Sequence, residues 1–376
     1  MTDGDDTLRM LEDAARGFAA FDAKRIRSWR EQKPGFDRDV WKGMAEQGWF
    51  SILFSEEDGG LGLGIDAAAT VAQQLGRACA PEPYVSAGIV TTALLSRLGR
   101  GKLNDDVMSG ILDGSHVCCV AWQGVAGGLS LERVAVQARQ DAGEYVLSGD
   151  CRFVPVAYAD SFLVAARAGN DIAIFVVPAK TNGLVLTAEA LADGGAWGWL
   201  KLSGVRLAPE ACLSKGAAAE AALIEAIDLG VLANCAELYG NMERSLELTL
   251  EYLKTRKQFG QTIGSFQVLQ HRAVDLWMKQ QVTRHALDAA LKTSMSPNVA
   301  AEARARATSS AKSRAADVAL FMANECVQLH GAIGFTDEYD LALYVNRALV
   351  IAPFLGNAAE HRQRYGDLRQ RTRVSA

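Results

Sequence analysis

The hydrophobic pattern changes period twice along the chain. Up to about Gly114, the segments LRMLEDAARGFAAF, FDRDVWKGMAEQGW, DAAATVAQQLGRA and IVTTALLSRL carry apolar residues three and four apart, broken by glycine or proline corners, which predicts helices. Between about Ser115 and Leu213 the period becomes two. RVAVQAR, EYVLSG, SFLVAAR, IAIFVVP and GLVLTAE read as short strands separated by Gly, Asp and Asn turns, and a small antiparallel barrel or sandwich fits them best. From Ala217 the helical period returns in longer runs: Ala218 to Arg256, Phe266 to Lys292, Val299 to Gly331, and a final helix after Pro353. The predicted fold class is α+β and mainly α, with a helical domain over 1–114, a β domain over 115–213 and a helical bundle over 214–376.

Composition narrows the classes of function. The 376 residues are 49% hydrophobic and 22% charged, as in an ordinary globular protein with a large core. A net charge of −5 gives no general attraction for nucleic acid or an anionic membrane, so any phosphate site must be a local basic pocket. The cysteines at 79, 118, 119, 151, 212, 235 and 326 form no CxxC pair and no metal-ligand spacing, and their odd number argues against a complete disulfide framework; reduced, buried thiols and no metal site are expected. No apolar run approaches the roughly 20 residues of a membrane span, and the start MTDGDD is unlike a secretory signal, so the expected compartment is the cytoplasm. His116, His271, His285, His330 and His361 stand singly and receive no role.

Chemistry concentrates at residues 251–271, EYLKTRKQFGQTIGSFQVLQH. Leu246, Leu250 and Leu253 give one apolar helical face, Arg256 falls at its end, and Gly260 permits a sharp corner. A guanidinium held there suits bidentate recognition of a phosphate or pyrophosphate. Basic residues at a helix C-terminus also simply compensate the helix dipole. Gly59, Gly60, Gly62 and Gly64 make no GxGxxG and lie in no βαβ unit, so they read as a tight loop entering a helix.

Three motifs in order resemble those of the acyl-CoA dehydrogenases, flavoproteins that desaturate acyl thioesters. GWFSILFSEEDGGLGLGIDAAATVAQQLGRA is similar to the family's Pro-Glu-x-x-Gly-Gly-x-Gly loop and following helix, Arg256 to Gly260 to its Arg-x-x-Phe-Gly block, and CVQLHGAIGFTDEYDLALYVNR to its Gln-x-x-Gly-Gly-x-Gly segment. The resemblance implies a C-terminal four-helix bundle that oligomerises, bound FAD, an acyl-CoA substrate and an electron-transfer flavoprotein as electron acceptor. It also implies that Arg256 holds the FAD pyrophosphate, with Gln258, Phe259 and Gln267 lining it, and that Gln328, Gly331 and Ala332 contact the adenosine side, Ala332 standing where the family has glycine.

The same resemblance exposes departures. Desaturation removes an α-proton to a carboxylate, so it needs a base beside the thioester. Most relatives place that glutamate where Leu355 or Gly356 stands here; a minority place it at the position of Gly230. Glu237 lies seven residues after Gly230, about two turns or roughly 10 Å along the helix, and is the candidate base; Asp228 and Glu360 are the other nearby carboxylates. The flavin-facing segments of the β domain correspond to Ala121, Trp122 and Gln123, and to Phe153, Val154 and Pro155, so both hydroxyl donors are gone. Gly230, Ala233 and Ala236 leave room for a wide substrate or serve close helix packing. Three functional readings remain: a homo-oligomeric dehydrogenase of a bulky acyl-CoA with Glu237 as base; a non-catalytic, FAD-anchoring subunit of a heterotetramer with a paralogous chain; or an oxidase or monooxygenase on the same scaffold. Some relatives in bacterial sterol or steroid side-chain breakdown are heterotetramers of two genes, one subunit with the FAD-anchoring residues and its partner with the base.

Overall fold

Helical spacing at both ends of the chain and strand spacing between them produce those elements. In the computed structural model, which describes residues 3–98 and 101–374, the N-terminal region contains α1 (Asp3–Phe18), α2 (Ala23–Trp29), α3 (Arg38–Glu46), α4 (Ile65–Arg77), α5 (Thr91–Arg97) and α6 (Lys102–Leu112). Met1 and Thr2 of the acidic start lie outside the described residues. The helix expected at IVTTALLSRL starts earlier, as a buried π-helical stretch Tyr84–Val90 that runs into α5. The middle region holds β1 (Cys118–Ala121), β2 (Gln137–Asp141), β3 (Glu144–Val154), β4 (Ser161–Ala168), β5 (Asp171–Pro178), β6 (Leu184–Ala190), β7 (Ala196–Leu207) and β8 (Cys212–Lys215). The C-terminal region consists of α7 (Ala217–Thr255), the hairpin strands β9 (Lys257–Gln258) and β10 (Gln261–Thr262), then α8 (Gln267–Met295), α9 (Ala301–His330), α10 (Leu341–Ile351) and α11 (Ala358–Val374). The short helix α10, hidden in the glycine-flanked third motif, was not anticipated.

The chain divides into two units, each discontinuous in sequence. One takes Ser28–Gly64 and Pro81–Gly230, and its centre is the sheet, ordered β6-β7-β3-β2-β4-β5-β8 with β1 also on β4. Most pairs are antiparallel, as expected, but β1 runs parallel to β4 over four residues and β2 meets it in parallel at Arg167, because both reach β4 by crossovers rather than hairpins. β4 and β5 are buried nearly throughout and so lack the alternation of a half-exposed strand. Arg38 of α3 grips Asp160 through two bonds of 2.8 and 3.1 Å, and Asp160 also accepts the Val117 N–H, tying the helical segment to the sheet. The glycine-rich loop folds back on itself, with the Gly62 N–H donating to the Phe54 carbonyl, before α4 begins.

The other unit combines the chain up to Arg27, Ile65–Ala80 and everything from Val231 onward. Its tightest contact is between α4 and α7. A Cβ on Gly76 would stand 2.1 Å from the Glu237 carbonyl oxygen, and one on Gly240 would stand 1.9 Å from that of Gln73. Two backbones touch here, each at the other's glycine. Around the contact Arg77 pairs with Glu247, and Gln73 donates to Glu243 while accepting from Arg284 of α8. Ala233 and Ala236 are buried on the same helix, with exposures of 0% and 1%.

Gly240→Ala is expected to cost about 3 kcal/mol, since a methyl must displace backbone rather than a side chain. Gly17→Ala in α1, with nothing within 4 Å of its added Cβ, is expected to be neutral or slightly stabilising. Urea unfolding of the two variants checks both.

Candidate functional site

The end of α7 sets the first part of the site. The Arg256 N–H still donates to the Tyr252 carbonyl, and the chain then reverses through a two-residue hairpin between β9 and β10. Its turn residues Phe259 and Gly260 both have positive φ, 51° and 80°, the requirement of the tight hairpin turn that matches strand twist. The corner expected from Gly260 is thus a hairpin. It turns Arg256, Gln258 and Phe259 outward, and Phe259 is 89% exposed. Among the described residues the Arg256 guanidinium makes no hydrogen bond or ion pair. Gln267, the first residue of α8, is exposed as well.

The second part is the end of α9. Gln328, Gly331 and Ala332 are exposed, and Gly331, at φ 67°, has nothing within 4 Å of the space a Cβ would fill. The next glycine, Gly334, is different: it packs against Val327 and His330. His330 joins the two parts, because its ring stacks on Tyr252 of α7 at 4.5 Å, four residues before Arg256. Its Nδ1 lies 2.8 Å from the Cys326 carbonyl, which can only accept, so Nδ1 carries the hydrogen; burial pushes the ring's pKa down. One end of the bundle therefore presents an uncommitted cation, exposed amides, an open glycine backbone and an exposed aromatic ring. That donor set suits a phosphorylated ligand, and the resemblance supplies FAD as the one to test for fit.

The positions where the resemblance puts a base hold none. Gly230 is buried in α7, and Leu355 and Gly356 form a buried turn between α10 and α11 with φ of 56° and 97°. Glu237 is buried at 6% exposure and engaged: Arg347 of α10 donates to its Oε1 from Nε at 3.1 Å and from Nη2 at 2.5 Å. Glu360 is also taken, as its Oε2 accepts the Asn357 N–H while Asn357 Oδ1 accepts those of Ala359 and Glu360, a capping box that starts α11. Asp228 is half-buried on α7.

The remaining residue singled out in the sequence, Phe153, lies on the sheet. Phe153 sits at φ 57° where the β3–β7 register slips between Cys151 and Val154, a bulge that re-aims its ring. It meets Trp197 edge-on at 5.7 Å and lies under the Arg152 guanidinium, which also covers Trp199 and pairs with Glu189. Ala121 and Trp122 are buried, and Gln123 Nε2 donates to the Gly128 carbonyl.

Lys312 escaped the sequence reading, and His361 was assigned no role there. Lys312 is fully buried in α9, donating to Asn234 Oδ1 on α7 and to the Ile351 carbonyl at 3.3 Å. Burial pushes its pKa down to about 8, against the pull of Cys235 and Glu237. His361, also fully buried, lies 2.9 Å through Nε2 from the Leu355 carbonyl, and burial lowers its pKa to about 3. The available signal was register: Lys312 stands four residues from Thr308 and Ala316, in the buried stripe of α9.

Comparison with known proteins gives two family-model matches, acyl-CoA dehydrogenase N-terminal domain over residues 5–115 and acyl-CoA dehydrogenase C-terminal domain over residues 221–367. The acyl-CoA dehydrogenase IpdE2 of Mycobacterium tuberculosis is 31% identical over 336 residues, 89% of this chain and 88% of its own. The acyl-CoA dehydrogenase FadE27 of the same organism is 28% identical over 338 residues, 88% of each. Among solved structures, a single-residue variant of the Tcur3481-Tcur3483 steroid ACAD superposes with a TM-score of 0.88 at 27% identity, covering 99% of both chains. A chain of the ChsE4-ChsE5 complex of Mycobacterium tuberculosis gives 0.86 at 26%, covering 98% of this chain and 97% of that one.

Two buried bases make stability depend on pH. His361 stays neutral in the fold to about pH 3, whereas the unfolded chain protonates it near 6.5, so its contribution is complete above 6.5 and is lost as pH falls toward 3. Lys312 acts in another window: the unfolded chain holds that proton up to about 10.5 and the fold only to about 8, so stability gains from it as pH rises from 8 to 10.5. Urea midpoints of wild type and His361→Gln across pH 7 to 4 are expected to converge as the acid is reached.

Proposed function

The chain belongs to the acyl-CoA dehydrogenase family of oxidoreductases, and on that premise we propose that it works in FAD-dependent α,β-dehydrogenation of a bulky acyl-CoA thioester, as the FAD-anchoring subunit of an assembly whose base comes from a paralogous chain. The carrying observation is a mismatch. The cofactor end is ready, with Arg256 uncommitted, while Leu355, Gly356 and Gly230 occupy the base positions and Glu237 is bound to Arg347. In this reading Arg256 holds a pyrophosphate bidentately, Gln258, Gln267 and Gln328 offer amides, Phe259 covers the ligand, and Gly331 with Ala332 admits it close to backbone. FAD, when bound, supplies the acceptor for the β-hydride. With no hydroxyl at residues 121–123 or 153–155, hydrogen bonds to the flavin edge come from other residues.

The relative described as a steroid ACAD supports a wide, ring-bearing acyl group, and the ChsE4-ChsE5 relative supports a two-chain assembly. The exposed Phe259 and Phe335, at 89% and 70%, fit an end completed by a neighbouring chain. Electron-transfer flavoprotein is the acceptor we assign. No helix among the described residues is long and apolar enough to cross a membrane, and we place the protein in the cytoplasm.

One observation favours a second reading, a self-sufficient homo-oligomeric dehydrogenase with Glu237 as base: both Arg347 bonds end on Oε1, and Oε2 makes none among the described residues. The absorbance spectrum and FAD-to-chain ratio of the protein, purified alone and with a base-bearing paralogue, separate the two. Under the first reading acyl- or steroid-CoA bleaches flavin only in the pair. Bleaching by the lone chain, abolished in Glu237→Gln, would establish the second. In either case Arg256→Ala is expected to lower FAD retention by about tenfold or more, and Arg256→Lys by less.

A further inference from the structure

The turn between α10 and α11 is held in an unfavourable backbone shape from inside the core. Leu355 is buried at φ 56°, in the left-handed region that penalises any side chain, and Gly356 follows at 97°. Such a conformation persists only where its surroundings over-determine it. Here two carbonyls bracket the turn. The first is that of Ile351, the last residue of α10, which accepts from Lys312 of α9. The second is that of Leu355 itself, which accepts from His361 of α11. A carbonyl can only accept, so the His361 hydrogen is on Nε2 and the neutral ring donates outward from the core to the turn.

The means are costly for a mere packing role. Lys312 has no carboxylate partner among the described residues, and Glu237, which acts on it electrostatically, is already bound by Arg347. Asn234 Nδ2 and His361 Nδ1, in the same interior, also lack partners. Leucine or methionine would fill the Lys312 site without a buried ammonium. What they would lack is a donor for the Ile351 carbonyl.

We propose that Lys312 and His361 are positioning residues for the turn at 352–356, locking Leu355 in its left-handed shape so that the turn presents one fixed wall to the acyl thioester. The second half rests on the reading that this turn stands where most relatives keep their base. The chain then retains the shape of that turn while lacking its carboxylate.

Hydrogen exchange on the full-length, FAD-loaded protein tests the clamp, with four variants. Lys312→Met and His361→Phe keep bulk and remove the donor; Lys312→Gln and His361→Gln keep an N–H. Loss of one hydrogen bond is expected to speed exchange at Gly356 and Asn357 by about tenfold in Met and Phe, with α8 amides and FAD content unchanged, and Gln is expected to restore protection to within about threefold. Equal acceleration in Gln and Met, or acceleration spread evenly over α8 and α9, would overturn the proposal and leave both residues as packing. Should Lys312→Met fail to fold, the His361 pair decides by the same criteria. A parallel titration with an acyl-CoA, read by flavin fluorescence in the two-chain assembly, is expected to weaken about tenfold in Lys312→Met and not in Lys312→Gln. If wild type itself binds no acyl-CoA, the functional reading fails while the exchange result still decides the clamp.

Discussion

Everything in the helical unit is referred to one close approach, the backbone contact of α4 with α7 at Gly76 and Gly240. It fixes both the depth and the rotation of a 39-residue helix. Once Gly240 faces Gln73, the neighbouring positions have no freedom. Glu243 and Glu247 fall beside Gln73 and Arg77, Glu237 turns toward Arg347 of α10, and Asn234, two turns back, enters the interior to meet Lys312. Arg256 leaves the far end of the same rod. A helix seated on side chains could slip by a fraction of a turn; one seated on backbone cannot without a clash.

Much of this was legible in the sequence, and the limits have physical causes. Long helices declared themselves by period, and the mostly apolar strands β4 and β5 were found because length and flanking turns marked them. β7 was missed: AWGWLKLSGVRL mixes glycine and charge because one of its faces is exposed and its partner β3 is bulged. The hairpin after Arg256 was read only as a corner, since two two-residue strands have no period to detect. Exposed residues at element ends, Arg256, Gln328 and Gly331, could be located from motif order. Buried polar residues could not, because their role depends on which carbonyl or guanidinium another helix brings. Glu237 looked like a spare carboxylate until α10, itself unforeseen, delivered Arg347 to it.

The two ends of the C-terminal unit contrast in how they treat polar groups. At the hairpin, charge and amides face outward and uncommitted, which costs nothing while water solvates them and leaves them available to a ligand. In the interior, Lys312, His361 and Asn234 are dehydrated and spent on backbone carbonyls and on one another. Availability and commitment are thus separated within one bundle, which leaves the hairpin end open to a ligand without disturbing the packed interior.

The backbone at the α10–α11 turn also bears on where a carboxylate could be introduced into it. Position 355 already carries a side chain at φ 56°, so a glutamate there would inherit a strain the fold has absorbed; position 356, at 97°, is open only to glycine. Within this turn, a carboxylate introduced by a single mutation therefore has one practical position and not two.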